Sequence, residues 1–231
     1  MKLKEIAVGL IHLLYPRLCE GCAKPLLAAE QVLCTGCHAH LPKTEYHDIN
    51  DNDTALRLAG RIPFQYATSF AYFTNDGLLQ HLMHGLKYKG RKEIGIYLGR
   101  QFGIDLSGST WATGIDFILP VPLSRRKEAS RGYNQSALIA KGMSSTLNIP
   151  VLYGTLLRTR DTESQTQKSR AERINNMKDA FTIHTPQLLA HKHVLIIDDV
   201  LTTGATIEAC ALALKDVPDV KISIASIGLA T

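Results

Sequence analysis

No stretch of this chain stays apolar for the ~18 residues that a bilayer-crossing helix needs, so a membrane span is not expected. No cleavage site of small residues follows the N-terminal MKLKEIAVGLIHLLYP. Lys2 and Lys4 imitate the charged start of a signal peptide, but Glu5 and His12 interrupt the apolar part. The expectation is instead a short amphipathic helix over 1–16, with Ile6, Leu10, Leu13 and Leu14 on one face. A large excess of one charge is also missing. The 26 basic and 21 acidic residues give a net charge of +5, which by itself does not call for nucleic acid. Low-complexity tracts are absent, as is any internal repeat beyond two cysteine pairs. What is present, 45% hydrophobic residues in 231, fits a cytoplasmic globular protein of one good-sized domain and one small one.

Four of the five cysteines form the pairs Cys19-x-x-Cys22 and Cys34-x-x-Cys37. Two such knuckles facing each other make a tetrahedral four-thiolate site for structural Zn2+, closed to chemistry because no ligand position stays open. Gly21 and Gly36 occupy the same place in each pair and are expected to supply a positive φ. Cys34-Thr35-Gly36-Cys37-His38 also spells the c-type haem pattern, but that reading requires export and leaves Cys19 and Cys22 unexplained. His38 and His40 are expected at the surface, and Cys210 as a buried apolar filler.

Residues 17–42 thus read as a zinc knuckle and 43–60, rich in Asp and Asn, as a linker. The main domain is expected over 61–231. In it Phe64–Phe73 is β-prone and suggests a hairpin arm, and Asn75-Asp76-Gly77 marks a turn. Helices are expected over Leu78–Lys89, ended by Gly90, and over about Glu93–Gly103 and Asn134–Leu147. Strands are expected at Phe117–Val121, 150–153, Ala180–Ile183, Val194–Ile197 and Val220–Ile227. Strands alternating with helices predict an α/β fold with a parallel sheet flanked by helices, its ligand at the C-terminal ends of the strands. Two basic clusters, Arg125, Arg126, Lys127, Arg131 and Arg158, Arg160, Lys168, Arg170, Arg173, suit a polyanionic ligand and equally a nucleic-acid backbone. The second lies in a stretch, 158–176, without periodicity.

The most informative stretch is Val194–Thr206, VLIIDDVLTTGAT. Four apolar residues make a buried strand, Asp198 and Asp199 follow, and Thr202, Thr203, Gly204, Ala205 and Thr206 lead into a helix. Backbone N–H groups at such a turn converge on a phosphate, and the helix dipole adds attraction. Gly204 is expected to let backbone approach the ligand, and the paired carboxylates suit adjacent sugar hydroxyls. A P-loop is a poor fit, since G-x-x-x-x-G-K-[ST] is lacking.

This stretch resembles the phosphoribosyl-pyrophosphate (PRPP) motif of type I phosphoribosyltransferases. With the cysteine pairs, Leu86-Lys87-Tyr88-Lys89-Gly90, Pro120-Val121-Pro122-Leu123, Arg131-Gly132-Tyr133-Asn134-Gln135, Leu157-Arg158, Gln165, Arg173, Asn176 and Ala180-Phe181, nearly the whole chain resembles the ComF family. That family joins a zinc-binding region to a phosphoribosyltransferase-like domain, and some members are linked to competence, the uptake of single-stranded DNA. The resemblance implies that Thr202–Thr206 hold the 5′-phosphate and that Asp198 and Asp199 hold the ribose hydroxyls. It further implies a pyrophosphate loop at Val121, Pro122, Leu123, Ser124 and Arg125, and contacts from Gln165, Arg170 and Arg173, with Asp198, Asp199 and Arg173 as catalytic residues. Mg2+ would accompany PRPP. The expected activity is phosphoribosyl transfer to an unidentified acceptor, whose pocket is sought in residues 43–116 or the zinc region. Tyr66, Tyr72, Tyr88 and Tyr97 are able to stack a base there, although the reading places them in the core. The alternative is a single-stranded DNA-binding competence factor, acting with the DNA-uptake machinery, for which PRPP is a regulatory or vestigial ligand.

Overall fold

The computed structural model describes residues 16–159 and 180–231. In chain order the elements are α1 (Thr35–Ala39), α2 (Asp53–Leu58), β1 (Ala67–Phe73), α3 (Leu78–Tyr88), α4 (Lys92–Ser107), β2 (Phe117–Pro120), α5 (Arg125–Arg131), α6 (Gln135–Leu147), β3 (Leu156–Arg158), β4 (Phe181–Ile183), β5 (His193–Leu201), α7 (Ala205–Ala213) and β6 (Lys221–Ala230), with short 3-10 turns between some of them. Four strands form a parallel sheet in the order β1-β6-β5-β2. The expected α/β fold with a parallel sheet flanked by helices is what the chain adopts. The antiparallel pair β3–β4 stands apart as a two-stranded ribbon.

The apolar run of β5 is explained by burial on both faces. Leu195 and Ile197 pack with Phe70, Leu82, Leu86, Leu98, Phe102 and Ile139, the layer of α3, α4 and α6. Val194 and Ile196 pack with Leu58, Ile207, Cys210 and Leu214, the layer of α2 and α7. Each fully buried side chain of this size contributes roughly 1.5–3 kcal/mol, so the strand that leads into the two acids is firmly anchored.

Several expectations change. Phe64–Phe73 supplies no hairpin arm: β1 runs parallel to β6 at the sheet edge, because the turn at Asn75-Asp76-Gly77 feeds α3 rather than a returning strand. The stretch 43–60, read as a linker for its polarity, is folded against the sheet. Its acids are exposed, but Asn52 and Thr54 are buried and satisfied. Asn52 Nδ2 donates to the Ala67 carbonyl at 2.8 Å, the Asn52 amide oxygen caps α2 through the Ala55 N–H at 3.0 Å, and the hydroxyls of Thr54 and Ser69 pair at 2.8 Å. The strand expected at 150–153 is reduced to a single bridge between Val151 and Ile118. Ala180–Ile183 forms a strand, β4, but in the ribbon and not in the main sheet. The short helix α5, unread in the sequence, begins where Ser124 Oγ accepts from the Lys127 N–H at 3.3 Å. The N-terminal helix expected over 1–16 and most of the 158–176 stretch lie outside the described residues. Among those described, no helix is long and apolar enough to cross a membrane.

Candidate functional site

The parallel pairing of β2 with β5, with Pro120 opposite Ile197, brings two chain crossings to one edge. The Val121–Ser124 turn leaves β2 beside the two acids in the C-terminal half of β5. The Val121 N–H donates to the Ile197 carbonyl at 2.9 Å, and Asn134 Nδ2 donates to the Val121 carbonyl at 2.9 Å. Val121 and Ser124 are buried, Pro122 and Leu123 half-buried, and Arg125 exposed.

Asp198 and Asp199 stand where the alternation of faces along β5 slips. Ile197 and Val200 pack against the same core layer, whereas regular pleating would put them on opposite sides. Neither acid enters the apolar interior alone. Asp198 Oδ1 accepts from Ser136 Oγ at 3.1 Å, at the start of α6, and from the Asp199 N–H at 2.8 Å. Asp199 pairs with Lys87 of α3 at 2.7 Å. Burial first, and the Asp199 charge second, push the Asp198 carboxyl up to about 7, against the pull of its two donors and Lys87.

The turn Thr202–Gly204 is held from behind by α2 and the residues just after it. Arg57 Nη1 donates to the carbonyls of Thr202 and Ala230, both at 2.8 Å. Arg61 donates to the Thr203 carbonyl and pairs with Glu208. In a trans peptide the C=O and the following N–H point oppositely. With the Thr202 and Thr203 carbonyls turned to the arginines, the N–H groups of Thr203 and Gly204 face away from α2, on the open side of the turn. Gly204 has φ +80°, and a Cβ there would meet Leu58 Cδ2 at 2.7 Å. The glycine is therefore demanded by its left-handed backbone and by packing against α2, a different reason from the ligand approach expected. Thr202, Thr203 and Thr206 are exposed and Ala205 is half-buried.

The four paired cysteines gather as expected: their sulfurs all lie within 4.8 Å of one another. Cys22 and Cys34 sulfurs are 3.7 Å apart, close to the about 3.8 Å that tetrahedral Zn–S bonds of about 2.3 Å imply. The N–H groups of Cys34 and Gly21 donate to Cys19 Sγ at 3.2 and 3.4 Å. Burial alone would raise the Cys19 thiol; these backbone donors outweigh it and bring it to about 7. The donor set fits a metal ion such as zinc. Neither Gly21 nor Gly36 has positive φ, contrary to expectation; the left-handed residue of the first knuckle is Ala23. Gly21 is needed for room, since a Cβ would stand 2.9 Å from Cys37 Sγ, while Gly36 lies within α1. His38 is half-buried and bonds the Tyr97 hydroxyl at 2.9 Å, while His40 is exposed. Cys210 is fully buried.

The site thus draws together Asp198, Asp199, Thr202–Thr206 and Val121–Arg125. Gln165, Arg170 and Arg173 lie outside the described residues. Sequence reasoning gave no role to Lys87, Asn134 and Ser136, although Lys87 and Asn134 stand in segments quoted for the family resemblance. Arg57 and Arg61 carried no signal at all.

The chain matches the family described as "Phosphoribosyl transferase domain" over residues 133–230. It is 32% identical over 210 residues to DNA utilization protein YhgH of Escherichia coli O157:H7, covering 86% of this chain and 91% of that one. Competence protein F of Haemophilus influenzae is 34% identical over 99 residues, 42% of this chain and 43% of its own length. Competence protein ComFC of Bacillus subtilis is 22% identical over 230 residues, covering 91% and 92%.

Proposed function

Since the chain belongs to the ComF family and carries a phosphoribosyltransferase-like domain, we propose that it binds PRPP with Mg2+ and transfers the phosphoribosyl group to an acceptor. The carrying observation is the turn after β5, whose carbonyls are tied back to Arg57 and Arg61 so that its N–H groups are left for an anion. In this reading Thr202–Thr206 take the 5′-phosphate and Asp198 and Asp199 accept the ribose hydroxyls. Val121–Arg125 take the pyrophosphate, joined by Gln165, Arg170 and Arg173, which the family resemblance assigns. Cleaving C1 from pyrophosphate builds positive charge on the sugar and negative charge on the leaving group. The acids face the first and the basic residues the second. Mg2+, held by the pyrophosphate near these acids, would offset part of the leaving charge. In this reading the Zn2+-binding unit lies within residues 1–42 and the transferase unit within 61–231, with 43–60 packed onto the latter. Four cysteines placed for a metal ion favour a reducing, cytoplasmic compartment.

A second reading has its own support: Arg125, Arg126 and Lys127 are exposed together on α5, and the relatives are named for DNA utilization and competence. There the protein binds single-stranded DNA and PRPP is regulatory. Titrating PRPP with Mg2+, then an oligonucleotide across a salt series, separates the two. Pyrophosphate release with a small-molecule acceptor supports the transferase. Oligonucleotide affinity falling steeply with salt, without release, supports the DNA-binding factor.

A further inference from the structure

The four sulfurs of the cysteine cluster are unequally protected. Cys19 is buried, and its sulfur accepts the N–H groups of Cys34 and Gly21 at 3.2 and 3.4 Å. Cys34 is half-buried, and its sulfur caps α1 by accepting the Cys37 N–H at 3.4 Å. Cys37 is half-buried behind Gly21, where a Cβ would stand 2.9 Å from its sulfur. Cys22 alone of the four is exposed, and among the described residues no N–H donates to its sulfur. An N–H donor draws electron density from a thiolate and lowers its nucleophilicity, and burial closes a sulfur to reagents. Neither restraint acts on Cys22. Across the cluster, the Cys34 sulfur stands 3.7 Å from it.

We infer that Cys22 is a site of oxidation by small hydroperoxides, and that the product is a Cys22–Cys34 disulfide that opens the metal site and loosens α3. The Cys22 thiolate attacks one peroxide oxygen: the S–O bond forms, the O–O bond breaks and hydroxide leaves. The Cys34 thiolate then attacks the Cys22 sulfur: the S–S bond forms, the S–O bond breaks and a second hydroxide leaves. The two sulfurs give up two electrons and the peroxide takes them. With hydrogen peroxide and two protons, the products are one disulfide and two waters. Only Cys19 and Cys37 keep their thiols, half the donor set of a structural zinc site. A disulfide formed in a reducing compartment is transient, as a sensor requires. The change reaches α3 through packing. A disulfide holds its sulfurs about 2.0 Å apart, so the knuckles close on each other by roughly 1.7 Å from the present 3.7 Å. The knuckles are seated on α3: a Cβ on Gly21 would meet Leu78 Cδ1 at 3.0 Å, and Cys19, Val32 and Leu33 share a core with Leu79, Leu82 and Met83. Moving Cys22 disturbs that seat and frees the first turns of α3, where the His81 N–H bonds the Gly77 carbonyl at 3.1 Å.

The test uses the full chain loaded with zinc, hydrogen peroxide as the oxidant and Cys210→Ala as the control. A single equivalent of peroxide is expected to release the zinc, read with a chromophoric chelator. Peptide mass spectrometry is expected to find Cys22 linked to Cys34, with Cys19 and Cys37 still thiols. Amide exchange at His81 and Leu82 rises at least tenfold, and dithiothreitol with added zinc reverses all three changes. Limited iodoacetamide on the unoxidised protein alkylates Cys22 at least tenfold faster than the other three ligands. Cys210→Ala matches the wild type throughout. A first disulfide within either pair, Cys19–Cys22 or Cys34–Cys37, overturns the assignment, as does zinc retained after peroxide or equal alkylation of the four. Unchanged exchange in α3 once the zinc has left overturns the link to that helix. A chain that takes up no zinc overturns the metal-gated device at its first step.

Discussion

Replacing Lys87 by methionine removes the ammonium that holds Asp199 and keeps most of the side-chain volume. The pair is 2.7 Å long, and the two side chains are only 21% and 16% exposed. A charge-assisted hydrogen bond contributes about 1.5–3 kcal/mol, and breaking a fully buried ion pair costs about 3–5 kcal/mol. Residual exposure places this pair in the lower range, about 2 kcal/mol. For a chain of this size that lowers Tm by roughly 4–8 °C. The loss depends on pH. Asp198, held at about 7, is mostly neutral at pH 5.5 and mostly ionised at pH 8. Removing Lys87 therefore hurts more at pH 8, where two adjacent carboxylates face each other without a cation. PRPP, itself polyanionic, should bind on the order of tenfold more weakly to the doubly negative site. Urea unfolding at both pH values and PRPP calorimetry measure these effects. A destabilisation under about 0.5 kcal/mol, or one equal at both pH values, refutes the assigned electrostatics.

Gly204→Ala forces a left-handed alanine and drives its Cβ toward Leu58, so a loss of about 2 kcal/mol in thermal unfolding and weakened PRPP binding are expected together. Because the folded state raises the Asp198 carboxyl above its ordinary value, stability is greatest below about pH 4 on this group's account and is lost as pH rises through about 7. Asp198→Asn should accordingly be more stable than the wild type at pH 8, by on the order of a few kcal/mol at most, and bind PRPP more weakly, which denaturant titrations and calorimetry check. Chelating the metal from the four cysteines should loosen the knuckle and, through Gly21 against Leu78, the start of α3, read as faster amide exchange at both places.

What the sequence made legible follows from strong local physics. Val194–Ile197 announced a strand buried on both faces, and the acids and small residues after it announced a turn into a helix. The cysteine pairs fixed a four-sulfur cluster because their spacing permits little else. What stayed hidden depends on distant partners. Lys87 meets Asp199 only once α3 is laid over the sheet, and Ser136 reaches Asp198 only from the start of α6. Arg57 sat in, and Arg61 just after, a segment whose exposed acids and asparagines imitate a linker, while the burial of Asn52 and Thr54 leaves no trace in composition. The left-handed role passed from Gly21 to Ala23 because spacing does not say which residue of a tight knuckle takes the strained backbone. Tyr88 looked like the other tyrosines, and only the structure separates the exposed ring from the engaged ones.

The central claim, that the turn after β5 and its two acids grip PRPP, is tested most directly by calorimetry of PRPP with Mg2+ on the wild type and on Asp199→Asn. Saturable one-to-one binding to the wild type, lost by more than tenfold in a variant that still unfolds cooperatively, is the predicted result. No binding to the wild type, or the same affinity in both proteins, contradicts it.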